Sequence, residues 1–357
     1  MGTEWSTAIH ATQSGELLEV VRPAAGGWVR GQVSSRQHLL RLADDGLNRA
    51  RRHEVFQEWD RTLVVRENGV PVYAGLITGL PYAKASQLLT VKHIDLRELL
   101  KRRHLFGVPF YEPAGTVEVT DLSLGGIIRR MLYLGLVHPF SEWWPVPVNL
   151  PAEEAGSISR TFFHYDFQTI DKILTDITKE DGAPDFDLQP VYDTNERLSW
   201  DARIGSPYLA GPTFDVPLDA DESPATDLAV GRDGMRMATG VFVQGKGGEQ
   251  DMRVAQVVDD ITGLSKDWEL PAKKVDDLDQ LASLGRGYLK PRARPTRQWS
   301  LNVQAADVPP HLLRLGSTIR THIHDDPWLP DGAEPHRVIG FSGDVSSDTI
   351  TLELEEQ

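Results

Sequence analysis

The chain has 357 residues, of which 52 are Asp or Glu and 37 are Lys or Arg, so its formal net charge is −15 at pH 7. An acidity of this size disfavours generic binding to the phosphate backbone of nucleic acids. The absence of cysteine excludes disulfides, thiolate catalysis and cysteine-ligated metal centres. No uninterrupted apolar run approaches the length that a membrane-spanning helix needs, and the length of the chain predicts two or three domains.

Residues 1–105 carry the pattern of a small β-barrel. Asn68 and Gly69 separate two apolar runs, and this dipeptide strongly favours a tight hairpin turn. Pro71 lies in the second run and confines that strand to an edge or a bulge, because proline cannot donate to a ladder. Asp95 is placed to cap a short helix that closes the region. We therefore predict an N-terminal β-barrel domain with a terminal helix over residues 1–105.

A basic cluster within this region comprises Arg49, Arg51, Arg52 and His53. The flanking residues are not basic, so the cluster does not indicate a nucleic-acid patch. We interpret it as a solvated edge or as a contact to an acidic neighbouring subunit.

The region from 106 to 212 combines helical and strand patterns. Asp121 and Asp166 each precede a run with apolar residues at helical spacing, and either side chain could accept the first free amide groups of a helix. Residues 185–190 and 197–202 read as a pair of strands in a hairpin. The sequence thus predicts a mixed α/β insert over residues 106–212.

The remaining residues, 213–357, predict a second β-barrel. Residues 239–244 form an apolar strand pattern, and a helix begins at Asp276 and runs to about residue 289. At the C-terminus, Ile350, Leu352 and Leu354 alternate with polar residues, which is the pattern of a strand with one buried face. We predict a C-terminal β-barrel domain over 213–357 with the helix at about 276–289 packed on it. The fold class predicted for the whole chain is α+β and β-rich, with two small β-barrels and an α/β insert.

Two short patterns resemble functional motifs but lack an essential residue. The run from Gly240 to Lys246 matches the start of a phosphate-binding loop, yet Gly247 stands where Ser or Thr must hold magnesium. A strand followed by a glycine turn is the better interpretation. His53 begins an H-E-x-x-H pattern in which Gln57 replaces the second metal ligand, so it does not predict a zinc protease.

Histidines near the C-terminus are the best metal candidates. His322 and His324 face the same side of a predicted strand, with His336 nearby in the next one. Both His322 and His324 lie opposite the apolar face, where solvent or a partner subunit is the expected neighbour. The sequence therefore assigns no metal ligand, and whether His322 and His324 bind an ion stays open.

Two further features invite a functional interpretation. Glu142 beside Trp143 and Trp144 could hold a sugar, but surface carboxylates and core or interface tryptophans are the commoner reading. Residues 185–227 contain ten acidic residues and two arginines, which predicts a solvated surface or, alternatively, the lining of a channel that repels DNA. We assign no catalytic, cofactor-binding or metal-binding residue, and we predict no enzyme activity.

Several loop and strand motifs together resemble the minor tail proteins that form the baseplate hub of siphophages, especially phages of actinobacteria. The resemblance spans most of the chain, and its motifs are residues 68–77 (NGVPVYAGLI), 183–187 (APDFD), 315–316 (LG), 326–332 (DPWLPDG), 337–344 (RVIGFSGD) and 349–352 (TITL).

This resemblance implies a structural protein of the virion tail tip that is assembled in the host cytoplasm. It implies a homotrimer in which two similar barrel domains of each subunit alternate around a ring of pseudo-sixfold symmetry. The expected partners are the distal tail protein, the tape-measure protein and receptor-binding or tail-fibre proteins. DNA is expected to pass through the lumen without specific binding, and no stable membrane insertion is expected. A carbohydrate-active or receptor-binding tail-tip component remains the alternative.

Overall fold

The computed structural model describes residues 4–31, 35–107, 113–138, 145–259, 264–293 and 295–356. These residues form 22 β-strands and five α-helices, which confirms the predicted β-rich α+β class. None of the helices in these ranges is both long and apolar enough to cross a membrane.

The first eight strands lie side by side in one half of a large sheet. Their order is β3-β4-β8-β6-β5-β1-β2, with β7 beside β8, and helix α1 follows β4. These elements are β1 (Trp5–Ala11), β2 (Leu17–Val21), β3 (Ala25–Arg30), β4 (Arg36–Arg41), α1 (Arg49–Val55), β5 (Arg61–Glu67), β6 (Val70–Gly79), β7 (Tyr82–Ala83) and β8 (Leu88–Asp95).

The predicted hairpin around Asn68 is confirmed. Asn68 and Gly69 both have positive φ, at 51° and 82°, as a two-residue turn between twisted strands requires. Pro71 pairs with Arg66 next to a register shift between Val65 and Arg66, so it occupies a bulge as predicted.

The last strands of the chain form the other half of the same sheet. Their order is β15-β19-β22-β21, with β20 and then β14 branching from the first part of β21. The elements are β14 (Thr213–Pro217), β15 (Ala225–Asp233), β19 (Thr296–Gln304), β20 (Thr318–Ile323), β21 (Gly332–Asp344) and β22 (Thr349–Glu356). In β22, Ile350, Leu352 and Leu354 are buried, which confirms the predicted alternation.

A direct strand pairing joins the two halves into a 14-stranded sheet. The end of β21 pairs antiparallel with β3, so that Phe341 lies opposite Arg30 and Asp344 opposite Gly27. One hydrophobic core, from Ile9 to Leu354 in sequence, lies under both halves.

The sequence predicted two barrels, whereas the described strands form one continuous sheet that no ladder closes into a barrel. The two halves form one sheet because β21 has 13 residues. It is long enough to pair with β20 and β22 at one end and with β3 at the other.

The α/β insert builds a second core on the outer face of the large sheet. Val64, Ala74 and Leu76 of β5 and β6 point away from the first core and pack with the insert. The insert elements are α2 (Arg97–Leu100), β9 (Thr116–Leu122), α3 (Leu124–Leu132), a π-helical turn (Tyr133–Val137), β10 (Val148–Asn149), β11 (Ile158–Phe163), α4 (Ile170–Ile177), β12 (Phe186–Tyr192) and β13 (Leu198–Ile204). The predicted hairpin of β12 and β13 is confirmed.

Two predicted helix caps are wrong by two or three residues. Ser123 rather than Asp121 caps α3, since its hydroxyl accepts the amide of Gly126 at 2.9 Å. Asp121 instead is the second-last residue of β9 and has a positive φ of 56°. Thr169 rather than Asp166 caps α4. In both cases an acidic and a hydroxyl residue lie close together, and the hydroxyl residue is the one directly before the helix.

A third, small unit lies within the C-terminal region. It contains β16 (Gly240–Gln244), β17 (Val254–Val258), β18 (Asp267–Pro271) and α5 (Leu278–Leu289). The sequence predicted that this helix packs on the second barrel. It packs instead on the sheet β17-β16-β18, where Leu281 and Leu289 bury against Val241, Val243 and Ala255.

Gly287 of α5 joins this unit to the insert. A methyl group at Gly287 would lie 2.1 Å from the carbonyl oxygen of Lys179. We expect Gly287→Ala to lower the free energy of unfolding by about 1–3 kcal/mol, because the two backbones must separate. Chemical denaturation measures the change. Gly248→Ala is the control, since no atom lies within 4 Å of its added methyl group, and equal losses in the two variants would contradict the contact.

Candidate assembly site

The glycine-rich run after β16 is a turn between strands, as predicted. Residues Gly240–Gln244 are extended and pair with β17 and β18. Gly247 has a φ of 104°, and Lys246 lies 3.5 Å from the carboxylate of Asp276. These residues therefore occupy a β-turn rather than the strand-to-helix turn of a nucleotide site.

The three C-terminal histidines do not converge. His322 lies on the outer face of β20, with its Nε2 3.2 Å from the carboxylate of Asp215. His324 lies 3.6 Å from Asp331, and its side chain is 84% exposed. His336 is fully buried on the opposite face, where its Nε2 lies 3.1 Å from the hydroxyl of Thr321. No group of three or more potential ligands occurs among the described residues.

The basic cluster lies on α1 beside β2. Arg51 pairs with Glu19 and donates to the carbonyl of Leu18, and Arg52 pairs with Asp45. The cluster thus makes contacts within its own chain, while Arg49 stays exposed. Glu142, Trp143 and Trp144, for which a sugar contact was the less favoured interpretation, lie outside the described residues.

Most acidic side chains of the segment 185–227 make hydrogen bonds or ion pairs within the chain. Arg337 pairs with Asp185, and His322 and Arg320 contact Asp215. Six of the ten acidic side chains accept hydrogen bonds from described residues, namely Asp185, Asp187, Asp193, Asp201, Asp215 and Asp219. Much of the charge that the sequence assigned to a free surface therefore serves to hold elements together.

A buried ion pair fixes the insert to the centre of the large sheet. Arg30 of β3 donates to both carboxylate oxygens of Asp187 at 2.7 and 2.8 Å and to the carbonyl of Leu188 at 3.0 Å. The two side chains are 1% and 7% exposed. Arg203 approaches the same carboxylate at 3.6 Å. Because Arg30 lies opposite Phe341 in the β3–β21 ladder, three parts of the chain meet at this point.

A second buried polar group crosses the first half of the sheet. The hydroxyl of Tyr73 lies 2.9 Å from Nδ1 of His93, and Nε2 of His93 lies 2.8 Å from Nδ1 of His38. All three side chains are fully buried. Burial lowers the pKa of His38 to about 4, although the carboxylate of Asp344 opposes this shift. Burial also lowers the pKa of His93 well below its usual range. Both rings are therefore neutral at pH 7.

The two ends of the large sheet carry different edge strands, β15 and β2. At one end, β15 lines a groove of about 450 Å³ together with the loop that carries Trp328. Asp219, Asp227 and Asp326 line the same groove. At the other end lies β2, which Arg22 follows directly. Sequence reasoning identified the Trp328 loop only as a turn; the available signal was a lone tryptophan between two prolines.

No protein-family model matches the sequence, and no curated protein matches it. Solved structures do match over nearly the whole chain. A tail protein from Neisseria meningitidis MC58 superimposes with a TM-score of 0.58 at 13% identity, covering 99% of this chain and 97% of that one. The 43 kDa tail protein of prophage MuSo2 from Shewanella oneidensis gives a TM-score of 0.59 at 12% identity, covering 99% and 98%. The chain has the fold of phage tail proteins.

A third tail protein supports the same fold. The prophage tail protein from Listeria monocytogenes EGD-e gives a TM-score of 0.50 at 9% identity and covers 99% of this chain and 95% of that one. Each of these matches extends over almost all of both chains.

Proposed function

We propose that the protein is a structural component of a phage tail tip and forms the baseplate hub. The main support for this proposal is the structural match to tail proteins over 99% of the chain. The resemblance of the sequence motifs to siphophage hub proteins supports the more specific role. Assembly rather than catalysis is the proposed activity, because the matched proteins are named as tail proteins.

The arrangement of the sheet fits a ring-forming subunit. Each chain carries two β-rich halves, which would be the two barrel-like hub units, and the β3–β21 pairing holds them side by side. Three copies would place six such halves around an axis, as the proposed pseudo-sixfold ring requires. The repeated contact between subunits is then heterologous, and such contacts form a closed ring when the rotation between neighbours closes.

The proposed partners follow from the position of a hub. The distal tail protein would bind one face of the ring, receptor-binding or tail-fibre proteins would bind the outer or opposite face, and the tape-measure protein would end in the lumen. DNA would leave through this lumen. Of the acidic segment, Glu196, Asp221 and Glu222 make no ion pair with described residues, so we propose them as side chains that line the channel and repel DNA.

Electron microscopy of the purified protein, combined with its mass in solution, tests this proposal. We expect a threefold ring with a central channel wide enough for double-stranded DNA and a mass of three chains. A compact monomer at every protein concentration, together with absence of the protein from purified tails, would contradict the hub role.

A further inference from the structure

The strand β15 is the largest open edge of the sheet. It has nine residues and pairs only with β19, so the amide and carbonyl groups along its other side have no ladder partner among the described strands. Long open edges favour addition of another strand or contact with another chain. At the opposite end of the sheet, β2 has five residues and pairs only with β1.

The groove beside β15 is apolar at its base and acidic at its rim. Leu228, Val230 and Ile323 line the base, and Asp219, Asp227 and Asp326 lie around it. None of these three carboxylates makes an ion pair with a residue that the structure describes. The groove thus offers apolar surface surrounded by uncompensated negative charge.

Trp328 stands at the mouth of this groove on a stiffened loop. Its side chain is 81% exposed, although tryptophan is usually well buried in a folded protein. Asp326 accepts the amide groups of Trp328 and Leu329 at 2.8 and 2.7 Å, and Asp331 accepts the amide of Asp325 at 2.7 Å. A large aromatic residue on a preorganised loop is the kind of residue that dominates the energy of protein interfaces.

The β2 end of the sheet has the complementary properties. Val20 on β2 is 49% exposed. Arg22 and Arg49 are exposed and form no ion pair within the described part of the chain. Arg51 already donates to the carbonyl of Leu18, so part of this edge is covered by α1 and a full ladder with a new strand is not available there.

We propose that the groove between β15 and the Trp328 loop of one copy receives the β2 end of a second copy of this chain. In this contact Arg22 and Arg49 face the carboxylates around the groove, and Val20 lies against its apolar base and Trp328. The inference rests on the proposed function, and it assigns the surface through which neighbouring hub subunits join.

Charge and sheet topology both favour the β2 end of a second copy as the occupant of the groove beside β15. The whole chain has a net charge of −15, so a random contact between copies is repulsive, whereas the unpaired Arg22 and Arg49 near β2 suit the carboxylates of the groove. The two surfaces are formed by different strands at the two ends of the sheet order, so one contact between two copies leaves one surface of each kind free for a further copy. Each copy contributes one surface of each kind, and the contact repeats around a ring.

Cross-linking between two single-cysteine variants tests the contact directly, because the natural chain has no cysteine. Val20→Cys and Ala229→Cys place one thiol on exposed positions of β2 and β15, respectively. With a short bis-maleimide reagent, we expect covalent dimers when the two variants are mixed and none when either is treated alone. Ser157→Cys, exposed in the insert, replaces Ala229→Cys in the control mixture and should give no dimers.

A charge-reversal pair provides the independent test. We expect Asp227→Arg and Arg49→Asp each to weaken self-association by about tenfold or more, measured by sedimentation, and an equimolar mixture of the two single variants to recover part of it. A chain that carries both changes should recover most of it. Trp328→Ala should weaken association to a similar extent without changing the thermal stability of the subunit, since the side chain is mostly exposed.

The outcomes separate this inference from the proposed function. A ring in the electron microscope without cross-links in the mixture would overturn the inference and leave the hub role intact. Neither ring nor cross-links, together with absence of the protein from purified tails, would overturn both. Cross-links with either variant alone would indicate that a surface contacts its own copy in an isologous contact. Cross-links from Ala229→Cys only to another protein in assembled tails would indicate a different occupant of the groove. Either of these two results would overturn the inference.

Discussion

Replacement of Asp187 with leucine is expected to lower the free energy of unfolding by about 3–5 kcal/mol, because it leaves the Arg30 guanidinium charged and buried. Among the described residues, Arg30 would keep hydrogen bonds only to neutral acceptors, the carbonyl of Leu188 at 3.0 Å and the side-chain oxygen of Gln189 at 3.4 Å. Urea denaturation of the full chain measures the loss. The effect is large because the Arg30 side chain is 1% exposed, so bulk water solvates the remaining charge poorly.

Two further variants show whether charge burial causes this loss. The double variant Arg30→Met with Asp187→Leu removes both charges, and we expect it to regain most of the stability, because buried ion pairs are often replaceable by apolar residues. Lys172→Ala breaks a pair whose side chains are 58% and 42% exposed and should cost less than about 1 kcal/mol. If Asp187→Leu lowered the free energy of unfolding no more than Lys172→Ala does, the role of the buried pair would be contradicted.

Acidification is expected to destabilise the fold from about pH 6.5 downward. Burial lowers the pKa of His38 to about 4, so between these values the unfolded chain binds a proton that the folded ring does not. Stability is therefore complete above pH 6.5 and is lost as pH falls toward 4, by about 3 kcal/mol from His38 alone. The lowered pKa of His93, which burial, His38 and Arg36 all depress, adds loss in the same direction.

Unfolding measured at several pH values checks this expectation. His38→Phe removes one titrating ring from the core and should reduce the slope of stability against pH by about one proton. Val91→Ala is the matched control, because Val91 is fully buried in the same core and carries no titrating group. We expect it to lower stability without changing the slope. An unchanged slope in His38→Phe would contradict the assignment.

Local patterns predicted the elements that depend on neighbouring residues. The alternation of Ile350, Leu352 and Leu354 and the turn at Asn68 and Gly69 determine strands through properties of residues next to each other. The C-terminal meander and the hairpin of β12 and β13 were predictable for the same reason. Helix starts were less certain, because an aspartate and a hydroxyl residue competed for the cap at both α3 and α4.

Pairing between distant strands was not predictable from these patterns. Nothing in the residues around Trp28 indicates that β3 pairs with β21, more than 300 positions later, rather than with a nearer strand. Local patterns also do not indicate that the charge of Arg30 is buried against Asp187. The candidate site was missed for a related reason, since an open groove arises from where the strands of a sheet end in space, and Trp328 marks it only once that arrangement is known.

The shared core also constrains the order of events during synthesis. The first strands bury their apolar side chains against residues such as Leu352 and Leu354, and the indole of Trp5 donates to Asp348 at 3.1 Å. A ribosome must therefore complete almost the entire chain before the first third can reach its final packing. Until then Ile9, Trp28 and Leu63 stay accessible on the nascent polypeptide, and contacts over such sequence separations form slowly. We expect the first strands to reach their final packing only after β22 has been synthesised and to depend until then on protection from aggregation.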